Sequence, residues 1–169
     1  GRDSNGLGNL PSNLVVLTTP TTMKNHVLLG SSDTGYSLNS EADLVRAKWG
    51  RIVFDEAQEL KNGYTNMKKP KPIKTFEAAN HLGSIDTCRW ALSGTPIENK
   101  VTDLQSILYW LRAQPYARPD NEGWFSKHVT PVASEGRWAE QVLATSHTED
   151  PKGRARAMFL DTMIRRTKG

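Results

Sequence analysis

Two short apolar runs predict neighbouring β-strands, and a polar cluster follows each of them. Residues 51–54 (RIVF) are followed by residues 55–58 (DEAQ), and residues 89–92 (RWAL) are followed by residues 93–96 (SGTP). Apolar, β-prone runs bounded by turn residues are typical of buried central strands. An amphipathic helix is predicted between the runs, over residues 75–82, so we expect the two strands to be parallel.

The rest of the pattern predicts one more strand and a mainly helical C-terminal part. Residues 14–19 (LVVLTT) are β-prone and end at Pro20, whereas residues 30–40 have the composition of a loop. A capping box and an apolar repeat predict a helix from Thr102 that is ended by Pro115. Shorter helices are predicted over residues 21–27, 41–48, 125–129, 138–145 and 154–166. The fold class is therefore α/β, with a parallel sheet flanked by helices.

The polar clusters are expected to meet at one edge of this sheet. The carboxyl ends of parallel strands lie together, and ligands bind there in open α/β sheets. An Asp-Glu pair at a strand end suits a metal–nucleotide site, where Asp55 can hold Mg²⁺ and Glu56 can deprotonate a water molecule. The alternative for Asp55 and Glu56 is an acidic pair on the surface, which is common at strand ends.

The chain resembles the Swi/Snf-type ATPases of helicase superfamily two. Residues 51–62 resemble motif II of that family and residues 90–99 resemble motif III, while residues 103–111 resemble the helix that follows. Residues 14–19 resemble motif Ib, and residues 164–168 resemble the arginine-rich end of the first lobe. The resemblance implies a recA-like P-loop NTPase lobe over residues 14–169, incomplete at its N-terminus and preceded by a flexible lead-in over residues 1–13.

The resemblance also assigns roles to individual residues near the sheet edge. It implies that Asp55 binds the Mg²⁺ of MgATP and that Glu56 is the catalytic base. Gln58 stands where the family usually has His, and it can hydrogen-bond the motif III hydroxyls. Ser93, Gly94 and Thr95 resemble the coupling segment between the nucleotide and DNA sites, in which Gly94 allows a tight backbone passage.

Four further residues are candidates for nucleic-acid contact, and two for contact with a second recA-like lobe. Thr18 and Thr19 lie where the family meets the DNA backbone, although Pro20 replaces its usual Tyr; the alternative is two strand-end threonines. Lys68 and Lys69 would bind phosphates if their loop faces DNA, or simply be solvated. By the resemblance, Arg165 and Arg166 brace the second lobe; otherwise they are cations at a helix end.

A phosphate-binding loop of the form Gly-x-x-x-x-Gly-Lys-Ser/Thr does not occur in the 169 residues. Because a complete ATP site needs that loop, the chain alone is expected to be inactive. The leading hypothesis is part of an ATP-dependent translocase on double-stranded DNA or chromatin, located in the nucleus (or in the cytoplasm or nucleoid of a bacterium). The alternatives are a lobe that binds DNA or protein partners without hydrolysis, and a strand-separating helicase or restriction-type translocase.

Composition adds little to this picture. The net charge of +4 suits a polyanionic partner only modestly, and the sequence has no apolar run of membrane-spanning length. One cysteine, Cys88, precludes an intrachain disulfide and is expected to be a small buried residue. Four scattered histidines give no zinc-ligand spacing. Residues 111–115, with Trp124 and Phe125, resemble the DNA-repair branch of the family, whose members often carry RING domains.

Overall fold

A computed structural model describes residues 13–31, 35–61, 63, 73–97, 102–117, 125, 129 and 151–164. In chain order the elements are α1 (Pro20–Val27), β1 (Leu28–Ser31), β2 (Tyr36–Leu38), α2 (Asp43–Arg46), β3 (Arg51–Phe54), a 3₁₀ helix (Ala57–Leu60), α3 (Lys74–Asn80), β4 (Cys88–Ala91), α4 (Thr102–Leu111) and α5 (Pro151–Thr162). None of the helices in these residues is long and apolar enough to cross a membrane.

The predicted parallel pair is formed by β3 and β4. The two strands pair in register from Arg51 opposite Cys88 to Phe54 opposite Ala91. The connection between them contains α3, as the sequence pattern predicted. The α/β strand–helix–strand unit inferred from the two apolar runs is therefore confirmed.

The helices α3 and α4 cover one face of this pair and form the core with it. Side chains from the strand, the 3₁₀ helix and both helices are buried together, among them Phe54, Leu60, Phe76, Leu104 and Trp110. The inward positions predicted for α3, which are Phe76, Ala79 and Leu82, are buried. Of those predicted for α4, Leu104, Ile107 and Leu108 are buried, Leu111 is half-buried, and Val101 lies outside the described residues. Arg112 follows α4 in a left-handed conformation with φ of 57°, so the helix ends at Leu111, four positions before Pro115.

The opposite face of the β3–β4 pair is exposed, which corrects the expectation of strands buried on both faces. Val53 and Trp90 lie opposite each other in the register, and their exposed fractions are 54% and 47%. Cys88 is also exposed, with a free thiol, so the prediction of a buried cysteine is wrong. Side chains alternate between the faces of a strand, and position 88 falls on the uncovered one.

Two predictions for the N-terminal part are also corrected. Residues 14–19 form no strand and belong to neither sheet, and Leu17 is 91% exposed. Residues within the predicted loop 30–40 instead contribute to an antiparallel hairpin of β1 and β2, with an irregular register between Leu28 and Gly30. Strand formation needs a hydrogen-bonded partner, which propensity in one segment does not reveal.

The C-terminal helix α5 begins and ends earlier than the predicted span of 154–166. Met158, Phe159 and Met163 were predicted as an apolar stripe of this helix; Met158 is fully buried, and the other two are half-buried. The hydroxyl of Tyr116 donates a hydrogen bond of 3.0 Å to Asp161 on α5, and burial together with this carboxylate raises the pKa of Tyr116. Val129 N–H donates to the carbonyl of Phe125. The rest of the predicted helix 125–129, and the whole of the predicted helix 138–145, lie outside the described residues.

Gly83 lies in the turn between α3 and β4, in a backbone conformation that favours glycine. Its φ is 75°, and a Cβ atom placed there would lie 2.7 Å from Oγ1 of Thr87. The Thr87 hydroxyl accepts a hydrogen bond from Ser84 N–H and donates one to the carbonyl of Trp49, so it has little freedom to move away. The turn that leads into β4 therefore requires a residue without a side chain at position 83.

We predict that Gly83→Ala lowers the free energy of unfolding by about 1–3 kcal/mol, because it combines left-handed strain with the Thr87 clash. Gly50→Ala is the matched control, since a Cβ atom at Gly50 would meet nothing within 4 Å and its φ is ordinary. Urea titration of both variants measures the difference. Equal stabilities would contradict the geometry described for residues 83–87.

Candidate active site

The polar clusters after β3 and β4 lie side by side because the backbone pairing continues past the ends of the strands. Leu92 N–H donates to the carbonyl of Phe54 at 2.8 Å, and Ala57 N–H donates to the carbonyl of Leu92 at 2.8 Å. These bonds hold the start of the 3₁₀ helix against the residue that precedes Ser93. The expectation that both clusters meet at one sheet edge is met by this geometry.

A run of hydrogen bonds joins the two clusters through side chains. Thr95 N–H donates to the Ser93 hydroxyl at 3.1 Å, and that hydroxyl donates to Oε1 of Gln58 at 2.6 Å. Nε2 of Gln58 donates in turn to Oε2 of Glu56 at 2.5 Å. We call these bonds the Glu56–Gln58–Ser93 relay. Because Oε1 of Gln58 accepts from Ser93, its NH₂ group must face Glu56.

The relay refines what the sequence suggested for the motif III hydroxyls. Ser93 reaches Gln58 directly, as predicted, but it reaches the carboxylate of Glu56 only through the Gln58 amide. Thr95 takes part through its backbone N–H rather than through its hydroxyl. An amide carries no charge at any ordinary pH, so the relay orients Glu56 without adding a titrating group.

Glu56 adopts a left-handed backbone conformation, with φ of 52° and ψ of 50°. A non-glycine residue in this region costs on the order of 1–2 kcal/mol, and such residues cluster at functional sites. The turn is stabilised on both sides: Glu56 N–H donates to Oδ1 of Asp55 at 2.9 Å, and Ala57 and Leu60 are buried beneath it. The strained residue therefore presents its carboxylate at the surface of a fixed turn.

Asp55 and Glu56 are both exposed at this edge, so their oxygens are accessible to a ligand. Asp55 uses Oδ1 to accept the Glu56 N–H, which fixes the orientation of its carboxylate. Carboxylate oxygens are the donors that Mg²⁺ prefers, and Mg²⁺ in nucleotide sites takes only one or two of them from protein. The residues present therefore fit a magnesium–nucleotide complex.

Thr18 and Thr19 lie beside the same sheet edge, but the hydroxyl of Thr19 already has a structural role. It accepts the N–H of Thr22 at 3.1 Å and so caps the N-terminus of α1. Both threonines are exposed, and both line a groove of about 450 Å³ that also includes Asp55. A ligand at this edge would contact the exposed side chain of Thr18, or it would take the place of the Thr22 N–H at the Thr19 hydroxyl.

Gly94 does not need to be glycine for the reason that the sequence suggested. A Cβ atom at this position would meet nothing within 4 Å, and its φ lies outside the left-handed region. The expected tight backbone passage is therefore not present in this structure. The remaining predicted site residues, Lys68, Lys69, Arg165 and Arg166, lie outside the described residues.

Sequence reasoning gave no role to Arg89, whose guanidinium is buried beneath the site. The available signal was a charged residue inside an otherwise apolar strand, which is costly unless the charge is paired. Its partners are backbone carbonyl oxygens that are distant in sequence, and no residue pattern identifies them.

Comparisons with known proteins give curated relatives that align with most of this chain. The curated relatives include DNA repair protein RAD5B of Arabidopsis thaliana, 35% identical over 125 residues, which cover 73% of this chain and 8% of the relative. The helicase-like transcription factor of Mus musculus is 29% identical over 133 residues, with 79% and 11% covered. The helicase-like transcription factor CHR27 of Arabidopsis thaliana is 34% identical over 134 residues, with 78% and 10% covered.

This chain thus spans about a tenth of the length of these relatives. The sequence model of the SNF2-related domain matches residues 10–169, which include both strand ends of the candidate site. The resemblance to the Swi/Snf-type family, and to relatives named for DNA repair, is thereby confirmed. The chain belongs to the SNF2-related domain family.

Proposed function

We propose that this chain is part of the first recA-like lobe of an ATP-dependent translocase on double-stranded DNA. The observation that carries the proposal is the Glu56–Gln58–Ser93 relay, which joins an acidic strand end to the neighbouring hydroxyl-bearing loop. Family membership and relatives named as DNA repair and helicase-like proteins support the same conclusion. The names of those relatives support a role in DNA repair, and the proposal extends to a nuclear role on chromatin, in remodelling or repair.

The site residues would divide the chemistry of ATP hydrolysis among them. Asp55 would hold the Mg²⁺ of MgATP, which neutralises charge on the phosphates. Glu56 would accept a proton from the attacking water, and the Gln58 amide would hold its carboxylate in position. Because Ser93 is bonded to the same amide, a shift of either strand end would be felt at the other. This connection can couple the nucleotide state to movement of the lobe.

The DNA track would lie beside the groove that contains Thr18, Thr19 and Asp55. Hydroxyls and backbone N–H groups suit phosphate oxygens, which position DNA without reading its sequence. Lys68 and Lys69 would add sequence-independent affinity, and Arg165 and Arg166 would contact the second recA-like lobe. The competing function, a lobe that binds DNA or partners without hydrolysis, predicts the same DNA contacts but no turnover.

The roles of the two carboxylates can be separated in the complete polypeptide. Glu56→Gln should leave nucleotide binding intact and lower DNA-stimulated turnover by at least about 100-fold, because the amide cannot accept the proton. Asp55→Asn should instead weaken Mg²⁺-dependent nucleotide binding by at least about tenfold, since it removes a charged metal ligand. Steady-state ATPase assays and fluorescent-nucleotide titrations with and without Mg²⁺ measure these effects.

Glu59→Gln is the matched control for the first variant, because Glu59 is an exposed carboxylate three residues further along the chain. It should leave both turnover and binding unchanged. Normal turnover in Glu56→Gln and Asp55→Asn would reject the assigned roles. A wild-type polypeptide that binds DNA but does not hydrolyse ATP would favour the non-hydrolysing alternative.

DNA binding should be weak, salt-sensitive and independent of sequence. We expect the Lys68→Ala/Lys69→Ala double variant to reduce the slope of log affinity against log salt by about 2, roughly one unit for each phosphate that a lysine no longer neutralises. The Arg46→Ala/Lys48→Ala double variant removes the same charge from two exposed positions at the C-terminal end of α2 and just after it, and should leave the slope unchanged. Titrations with two unrelated duplexes provide the comparison, and tight binding to only one of them would contradict the translocase proposal.

A further inference from the structure

Arg89 lies on β4, on the face that packs against α3 and α4, and only 9% of it is exposed. A charged group in this position would be expected to have a carboxylate partner, since an unpaired buried charge is strongly destabilising. The hydrogen bonds that its guanidinium makes in the described structure go to backbone carbonyls instead. Those carbonyls belong to the C-terminal end of α4, to the last residue of α3 and to the turn that follows α3.

The guanidinium connects the C-terminal end of α4 to the last residue of α3 and to the turn that follows it. Nη1 donates to the carbonyl of Trp110 at 2.7 Å, and Nη2 donates to the carbonyl of Leu82 at 2.7 Å and to that of Asn80 at 3.5 Å. Carbonyls at helix C-termini lack intrahelical partners and carry partial negative charge, so a cation stabilises them. Burial and the nearby Arg112 lower the pKa of Arg89 to about 10, which leaves it charged at neutral pH.

The same arginine is connected to the end of β3 through aromatic contacts. Its Cζ lies 5.3 Å from the centroid of the Trp110 ring, and the Trp110 ring contacts Phe54 edge-on at 5.8 Å. Trp110 is fully buried, and its Nε1–H donates to the carbonyl of Ala79 at 3.0 Å. Phe54 directly precedes Asp55, and its carbonyl accepts the Leu92 N–H. These contacts therefore connect Arg89, through Trp110 and Phe54, to the backbone at the C-terminal ends of β3 and β4.

We propose that Arg89 is a positioning residue for the candidate site: it aligns the ends of α3 and α4 on β4 and thereby holds Trp110 against Phe54. The placement of Asp55 and of the Glu56–Gln58–Ser93 relay depends on that contact. The proposal deepens the proposed function and rests on it for its catalytic consequence. An apolar side chain of similar length could fill the same volume, but it could not direct bonds to carbonyls on two helices.

The directed hydrogen bonds of the Arg89 guanidinium distinguish a positioning role from simple packing. Nε of Arg89 is buried without a hydrogen-bond partner in the described structure, so burial of this group carries an uncompensated cost. Replacement of a buried charge by a well-packed apolar residue is often neutral for stability. An Arg89→Met variant can therefore stay folded and still lose the alignment of α3 and α4 on β4. The experiment measures folding and alignment separately.

The experiment compares Arg89→Met and Arg89→Lys with Arg46→Met, which removes a surface arginine whose Nη1 lies 3.7 Å from the carboxylate of Glu41. In the 169-residue chain, NMR follows the side-chain amide of Gln58 at a temperature at which circular dichroism shows native helix content. We expect the Gln58 amide hydrogens to exchange at least about tenfold faster in Arg89→Met. Arg89→Lys should give a smaller change, because it keeps the charge but not the forked geometry, and Arg46→Met should give none.

In the complete polypeptide, turnover per bound nucleotide should fall about tenfold or more in Arg89→Met, with nucleotide affinity within about twofold of wild type. A purely structural role would lower the folded fraction and leave the rate per bound nucleotide unchanged. Folded Arg89→Met with unaltered Gln58 exchange and turnover would overturn the proposal.

If Arg89→Met does not fold, the same two measurements, Gln58 amide exchange and turnover per bound nucleotide, are made on Arg89→Lys, and values equal to wild type would overturn the proposal. If neither variant folds, the arginine is a folding requirement and the positioning proposal is rejected. A wild-type polypeptide without ATP hydrolysis would reject the proposed function instead, while the NMR comparison would still test the positioning role.

Discussion

The parallel pairing of β3 with β4 is the constraint on which the candidate site depends. Residues 55–58 and 93–96 are more than thirty positions apart in the sequence, and only the in-register pairing brings them together. The pairing continues past the strands through the bonds between Leu92 and Phe54 and between Ala57 and Leu92. A shift of one residue in this register would move Ser93 away from Gln58 and turn the inward side chains of the shifted strand to the exposed face.

Above this pairing, the site combines a strained backbone with a fixed set of hydrogen bonds. The left-handed conformation of Glu56 costs free energy that the buried anchors Ala57 and Leu60 offset. The Gln58 amide then has one orientation, set by the Ser93 hydroxyl on one side and the Glu56 carboxylate on the other. Such preorganisation is what a general base needs, because no reorientation is required during reaction.

The elements with strong local patterns could be predicted from the sequence. β3 and β4 follow from apolar runs and α3 and α4 from apolar periodicity, and the meeting of residues 55–58 with Ser93 follows from parallel topology. Features set by distant partners could not be predicted in this way. Residues 14–19 have strand propensity without a strand partner, and the Arg89 guanidinium binds carbonyls on helices that its own sequence neighbourhood does not specify. Thr19 was predicted as a strand end, yet its hydroxyl caps α1.

The central claim is that Gln58 and Ser93 act as one unit between the two strand ends, and a double-mutant cycle tests it most directly. Gln58→Ala, Ser93→Ala and the double variant would be compared with wild type for DNA-stimulated turnover in the complete polypeptide. We expect a coupling energy of about 0.5–3 kcal/mol, because either single change already breaks the relay. Additive effects of the two changes would contradict the claim.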